Sequence, residues 1–173
     1  MIIKQIVELD SNLETSLQEM LDLAYEGDFS SEDWEHAVGG LHFIGFLADT
    51  IIAHGSVVPR EMFIDGHILT VGYVEAVAVS PKCTGQGFGS ILMRTITDFC
   101  LDNYELSMLS TDEKMFYQRL GWHQFTGESF IRLDNSEIRS AEEDEGLMFL
   151  PSDKSNKRNI LRAVCQARSG DSW

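Results

Sequence analysis

The sequence predicts an α+β fold, a central mixed but mostly antiparallel sheet flanked by helices, in a chain of 173 residues. Three observations carry this. Consecutive strand-like runs between Leu41 and Val79 are separated by tight-turn signals, which makes an antiparallel meander. Apolar residues recur at helical spacing both before the meander and after it. The run ending at Val79, the glycine-rich turn, the helix that follows and the next strand form a β-α-β unit, which demands one parallel pairing inside the sheet.

The elements follow in order. "IIKQIVEL" alternates and reads as a first strand. Ser11-x-x-Glu14 offers a capping box ahead of Leu13, Leu17, Met20, Leu21 and Ala24 at helical spacing. "GDFSSEDWEHAVGG" reads as a short helix capped near Ser30 and stopped by Gly39-Gly40. "LHFIGFLADTIIAHGSVVPR" holds two strands about a turn at Asp49-Thr50, and "MFIDGHILTVGYVEAVAV" turns tightly at Asp65-Gly66. The next helix places Phe88, Ile91, Leu92, Thr95, Ile96 and Phe99 on one face. "YELSMLS" is a strand, "STDEKMFYQRLGW" a helix capped by Ser110 or Thr111 and ended by Gly121, and "HQFTGESFIRLD" a hairpin completing the sheet. From Asp134 the chain turns polar and acidic, with "LMFLP" as a short strand in an otherwise mostly polar segment. A disordered tail is one reading of that segment; the apolar "LMFL" argues instead that it packs back.

Composition narrows the function. The 28 acidic residues outnumber the 13 basic ones, giving a net charge of −15. That excludes the basic footprint of a nucleic-acid binder. The acidity either serves solubility alone or draws in a polycationic substrate. The length favours one domain, spanning 1–173. No apolar stretch is long enough for a membrane span, and the start lacks the pattern of a secretory signal, so a cytoplasmic protein is expected. Cys83, Cys100 and Cys165 match no zinc or redox spacing and are expected to be free thiols. His36, His42, His54, His67 and His123 are scattered without ligand spacing, so no metal site is expected.

"AVAVSPKCTGQGFGSILMRTI" is the stretch that carries chemistry. An apolar run stops at Ser80-Pro81, three glycines alternate, and a helix begins. Residues without a Cβ let backbone N–H groups approach an anion at the positive end of the next helix. A Walker loop fails because no Lys follows Gly89, and the dinucleotide fingerprint fails because the spacing is Gly85-x-Gly87-x-Gly89. A pyrophosphate held by backbone amides remains.

With "FYQRLGW" after the next strand, this stretch resembles the GNAT superfamily of acetyl-CoA dependent N-acetyltransferases. The [RQ]-x-x-G-x-[GA] signature falls on Thr84-Gly85-Gln86-Gly87-Phe88-Gly89, with Thr84 standing where Arg or Gln is common. "DFSSEDWEHAVGGLH", "GYVEAVAV", "YELSMLS", "YQRLGW", the acidic "EEDEG" before "FLP" and the closing "GDSW" together resemble the aminoglycoside 2′-N-acetyltransferases. The resemblance spans nearly the whole chain. It implies a GNAT-type fold with 134–173 as an acidic extension on the substrate side, acetyl-CoA as cosubstrate, an aminoglycoside as acceptor, and a homodimer.

It also implies roles. Glu75 would be the general base; strand parity with Tyr73, Val77 and Val79 would flank its carboxylate with apolar side chains. Tyr117 would protonate the departing thiolate. Val77, Ala78 and Val79 would pair by backbone with the pantetheine arm, and an amide near Val77 would meet the oxyanion. Thr84 to Gly89 would hold the pyrophosphate. Asp28, Glu143, Asp144, Glu145, Asp171 and the Trp173 carboxylate would meet substrate ammonium groups, with Ser110 as a hydroxyl contact and Ala76 contributing its backbone. Two alternatives stay open: a GNAT enzyme for another polyamine or amino sugar, and a sensor that binds acyl-CoA or a cationic drug without turnover.

Overall fold

A computed structural model of the chain describes residues 1–134, 136–153, 155 and 159–173. The rest of the expected acidic extension, residues 135, 154 and 156–158, lies outside the described residues. The strands are β1 (Ile2–Ile6), β2 (Leu41–Leu47), β3 (Thr50–Ile64), β4 (His67–Val79), β5 (Leu106–Ser110), β6 (His123–Gln124), β7 (Glu128–Leu133), β8 (Ser136–Arg139), β9 (Leu147–Pro151) and β10 (Arg162–Gln166). The helices are α1 (Ser11–Ala24), α2 (Ser31–Ala37), α3 (Phe88–Asn103) and α4 (Lys114–Gln118). The sheet runs β6-β9-β5-β4-β3-β10-β7-β8, with β2 on β3 and β1 on β2. The expected parallel pair is β4 with β5, at Gly72↔Ser107 and Tyr73↔Met108. A second parallel pair, β10 with β7, was not foreseen. Among the described residues, no helix is long and apolar enough to cross a membrane.

The chain divides into two compact units. The first comprises Met1–Val58 and Val74–Thr97. Here Asp10, not Ser11, caps α1: its carboxylate accepts the N–H groups of Asn12 and Leu13. Ser30 caps α2 as expected, closing a reciprocal box with Asp33. The β2–β3 turn falls on Ala48 and Asp49, one residue earlier than expected, with Ala48 in the left-handed region. Leu17, Leu21, Trp34, Ile44 and Ala78 form one core layer under α1 and α2. The inward stripe of α3 is Leu92, Met93, Ile96, Thr97 and Cys100, while Ile91 is 45% exposed. Apolar residues surround so much of this helix that periodicity leaves its inward arc undetermined.

The second unit comprises Pro59–Tyr73 and Asp98–Trp173. The β3–β4 hairpin turns at Asp65-Gly66, both with positive φ, as the sequence implied. The Asp65 carboxylate also accepts the N–H groups of Leu161 and Arg162, tying β10 to the hairpin. β6 and β7 are not a hairpin. β6 pairs with β9, and β7 pairs with β8 and β10. Gly127 explains the crossing, because a Cβ there would lie 2.5 Å from the carbonyl oxygens of Ile160 and Leu161. α4 is a five-residue helix with Glu113 at its N-cap; Thr111 only accepts the Glu113 N–H through its hydroxyl. "LMFL" is wholly buried in β9, and Trp173 joins Tyr73, Phe125 and Phe149 in the core.

Candidate active site

In the first unit the site residues are built on one strand and one turn. β4 carries Glu75, half-buried, followed by Ala76 at φ +50. An L-residue there costs about 1–2 kcal/mol, so the conformation needs outside support. The Ala76 carbonyl is met by His54 of β3, whose Nδ1 lies 2.9 Å away. The left-handed Ala76 departs from the extended backbone on which the parity expected for Glu75, Val77 and Val79 rested. Ala76 and Ala78 pack on the α1/α2 layer, whereas Val77 reaches toward Gly55 on the α3 side. Beyond Ala76 the Ser80 N–H bonds the β3 carbonyl of Ile52, so with strand alternation the main-chain groups of Val77 and Val79 line the opposite edge. The Tyr25 hydroxyl donates to the Val77 carbonyl at 3.1 Å from that edge. Burial, then the charges of Asp33 and Glu75, push Tyr25 up to about 12, so it remains a donor.

The turn after β4 presents amides. Gly85 and Gly87 have φ +77 and +81, and a Cβ at either would face open space. The Ile91 N–H bonds the Gly87 carbonyl, so α3 starts there and the amides of Phe88, Gly89 and Ser90 lack acceptors within the helix. Thr84 and Gln86 are exposed, and their side chains reach back to the Ser80 and Lys82 carbonyls at 3.5 and 3.4 Å. The helix dipole and these amides suit an anion without help from a cationic side chain. Asp28 is exposed on the α1–α2 link, its N–H bonded to Tyr25.

In the second unit the acidic run divides by partner. Asp144 accepts from the Ser129 N–H and hydroxyl at 2.9 and 2.6 Å and pairs with Arg139. Burial works against its charge, but the bonds from Arg139 and Ser129 prevail and hold it below the usual carboxylate range. Glu145 is exposed and paired with Lys114 at 2.9 Å, which lowers it. Glu143 differs: burial, then the charges of Asp171 and Glu142, raise it. Asp171 accepts the Trp173 N–H at 3.0 Å, and the Trp173 indole donates to the Ser140 hydroxyl at 3.0 Å. Arg168 donates to the main-chain oxygens of Asp171 and Trp173. Ser110, at the end of β5, is exposed; its hydroxyl would lie 3.0 Å from a Cβ at Gly146, so this glycine lets the acidic turn close on β5. Tyr117 is 7% exposed on α4, edge-on to Phe116 and Trp122. Among the described residues, no group of three His, Cys, Asp or Glu could hold a metal ion.

A family model described as an acetyltransferase (GNAT) domain matches residues 12–125, more than half of the chain. The chain belongs to the GNAT acetyltransferases. A curated relative, the aminoglycoside 2′-N-acetyltransferase of Mycolicibacterium fortuitum, is 33% identical over 171 residues, covering 96% of this chain and 88% of that protein. The crystal structure of Escherichia coli YhbS, a GNAT protein in complex with CoA, matches with TM-score 0.71 at 15% identity, over 95% of this chain and 88% of that one. An aminoglycoside 6′-N-acetyltransferase complexed with coenzyme A matches with TM-score 0.60 at 15% identity, over 87% and 97%. At such identity these two likenesses speak to the GNAT fold alone.

Three residues of this GNAT acetyltransferase escaped sequence reading: Tyr25, His42 and His54. Their signal was weak but present. His42 and His54 flank the β2–β3 turn on strands that pair, so their rings can meet diagonally across one face. Tyr25 directly precedes the Glu26-Gly27 turn, where left-handed residues end α1. None of this belongs to a motif.

Proposed function

We propose that this enzyme transfers the acetyl group of acetyl-CoA to the 2′-amino group of an aminoglycoside. The observation that carries the acceptor class is Glu143. Burial and the neighbouring Asp171 charge disfavour its ionised form, and the positive charge of a bound ammonium would favour it again. The name of the M. fortuitum relative supports the same acceptor. The net charge of −15 would raise the local concentration of a polycation.

The residues present fit the cosubstrate. The amides from Gly85 to Ser90 would hold its pyrophosphate, and the edge of β4 at Val77 and Val79 would bond the pantetheine arm. Acetyl-CoA supplies the activated thioester. Glu75 takes the proton from the acceptor ammonium, freeing the nitrogen lone pair. As the C–N bond forms, the Val77 N–H stabilises the oxygen of the former carbonyl. The C–S bond then breaks, Tyr117 delivers its proton to the thiolate, and the second proton shed by the acetylated nitrogen returns to Tyr117. The acidic extension 134–173 contributes the acceptor carboxylates Glu143 and Asp171, with Ser110 as a hydroxyl contact. Asp144 and Glu145, engaged by Arg139 and Lys114, act mainly on the shape and field of that run.

The test is a thiol-release assay with acetyl-CoA over an aminoglycoside panel, followed by NMR location of the acetyl group. Kanamycin B carries an amine at 2′ and kanamycin A a hydroxyl, on otherwise equivalent polycations. Turnover of kanamycin B with kanamycin A as a poor substrate or inhibitor is expected. An acetyl group at position 3 or 6′ would overturn the 2′ assignment.

A further inference from the structure

We infer that His54 is a positioning residue for acetyl transfer: by donating to the Ala76 carbonyl it fixes the direction of the Val77 N–H. This rests on the proposed reaction, in which that amide meets the developing oxyanion.

With both rings neutral, the hydrogen-bond chain has only one consistent set of protons. The Ala76 oxygen can only accept, so His54 carries its proton on Nδ1, 2.9 Å away. His54 Nε2 must then accept, and the donor is His42 Nδ1 at 2.9 Å. Both rings are buried, and His42 is stacked on Trp34, whose indole donates to Glu14. Burial pushes His54 down to about 3, consistent with a neutral ring locked in one tautomer. The chain thus runs from the α2 side of the sheet to one peptide of β4.

That peptide is the link to chemistry. Among the described residues no peptide bond is cis, so the Ala76 C=O and the Val77 N–H point in opposite directions across one plane. Holding the carbonyl against His54 of β3 aims the amide the other way, toward the edge of β4 that faces away from β3. Without His54 the left-handed Ala76 would lose the bond that opposes its relaxation, and the peptide plane could rotate. An oxyanion donor is useful only if it is already aimed. Tyr25 adds a second restraint one atom group further on, at the Val77 carbonyl.

The experiment uses the full ¹⁵N-labelled chain. Long-range ¹H–¹⁵N spectra of His54 should show a proton on Nδ1 and none on Nε2 from pH 5 to 8, and the Val77 amide should shift downfield with acetyl-CoA but not with CoA. His54→Leu should abolish that acetyl-specific shift and lower kcat on the order of 10²-fold, with the acetyl-CoA Kd changed less than about threefold. His54→Asn, whose side-chain amide can occupy the Nδ1 position, should restore most of both. An Nε2–H tautomer, an acetyl-insensitive Val77 amide, or an Asn variant as impaired as Leu would each overturn the inference. If His54→Leu fails to fold, the wild-type tautomer and the Asn variant decide. The amide measurement needs no acceptor: if it holds while no aminoglycoside is acetylated, the positioning role stands and the acceptor reading falls.

Discussion

The glycine turn after β4 and the acidic run before β9 were both singled out in the sequence, yet the proposed function uses them in different ways. In the turn the donors are main-chain amides, and what a sequence must supply is permission: φ +77 and +81 at Gly85 and Gly87, with open space where a Cβ would stand. Side-chain identity matters little there, which is why Thr84 in place of Arg or Gln leaves the amide set intact. In the acidic run the side chains themselves are the groups on offer, and their partners decide what each can do. Asp144 belongs to Arg139 and Ser129, Glu145 to Lys114, and Glu143 to a crowded half-buried place beside Asp171. A backbone site is legible from spacing; a side-chain site is legible only once its neighbours are known.

The largest test of this contrast concerns the one strand where both modes meet. On β4 the backbone is proposed to bind while the Glu75 side chain performs chemistry. Glu75→Gln should therefore lower kcat on the order of 10²–10⁴-fold and leave the acetyl-CoA Kd unchanged, as read by isothermal titration and steady-state kinetics. Tyr117→Phe should act on kcat in the same direction. If Glu75→Gln instead weakened acetyl-CoA binding alone, the division between binding backbone and reacting side chain would break.

Within the acidic run, Glu143→Gln should raise the aminoglycoside KM roughly 10–100-fold, since a charge-assisted bond is worth about 1.5–3 kcal/mol. Glu145→Gln, which removes only an exposed pair, should leave that KM within about twofold. Equal effects would mean that the run acts as an undifferentiated negative field. In the turn, Gly87→Val should raise the acetyl-CoA KM about tenfold, because an L-residue at positive φ costs about 1–2 kcal/mol and the turn would relax away from it. Thr84→Ala should change it much less, about twofold at most, if the amides carry the binding.

The same division accounts for what the sequence did and did not disclose. The element order as far as β7, the Asp65-Gly66 turn, the parallel β4–β5 pair and the glycine loop depend on local chemistry and could be read, whereas β8 in its polar segment was not. Asp10 displaced Ser11 as the α1 cap because both residues are good caps and only the observed backbone distinguishes them. β10 was hidden because Arg162 and Gln166 bracket just three buried residues in a polar segment. The β6–β7 hairpin failed because its partners, β9 and β10, come later in the chain. For the site, the left-handed Ala76 and its histidine contact are long-range events: nothing in "VEAVAV" announces a left-handed alanine, and His54 reaches its carbonyl from another strand.

The smallest effect separates two neighbours in one turn. Glu143 has a raised folded-state pKa, so the native state holds more protons than the unfolded chain between the ordinary glutamate value and the raised one; stability falls as pH rises through that window, and the penalty persists above it. Asp144 has a depressed one, so its contribution is fully present above the ordinary aspartate value and is lost as pH falls through the folded-state value. Glu143→Gln should therefore raise the Tm at pH 7 and lose that advantage near pH 4, whereas Asp144→Asn should lower the Tm at pH 7 and differ less from wild type as acid protonates the native carboxylate. Thermal melts of the two variants and the wild type from pH 3 to 8 would show this as difference curves of opposite sign. Adding an aminoglycoside at pH 7 should shift wild type upward more than Glu143→Gln, because the bound ammonium would compensate the crowded charge only where that charge exists. Curves of the same sign would mean that the two carboxylates share one environment, and the contrast drawn within the run would fail.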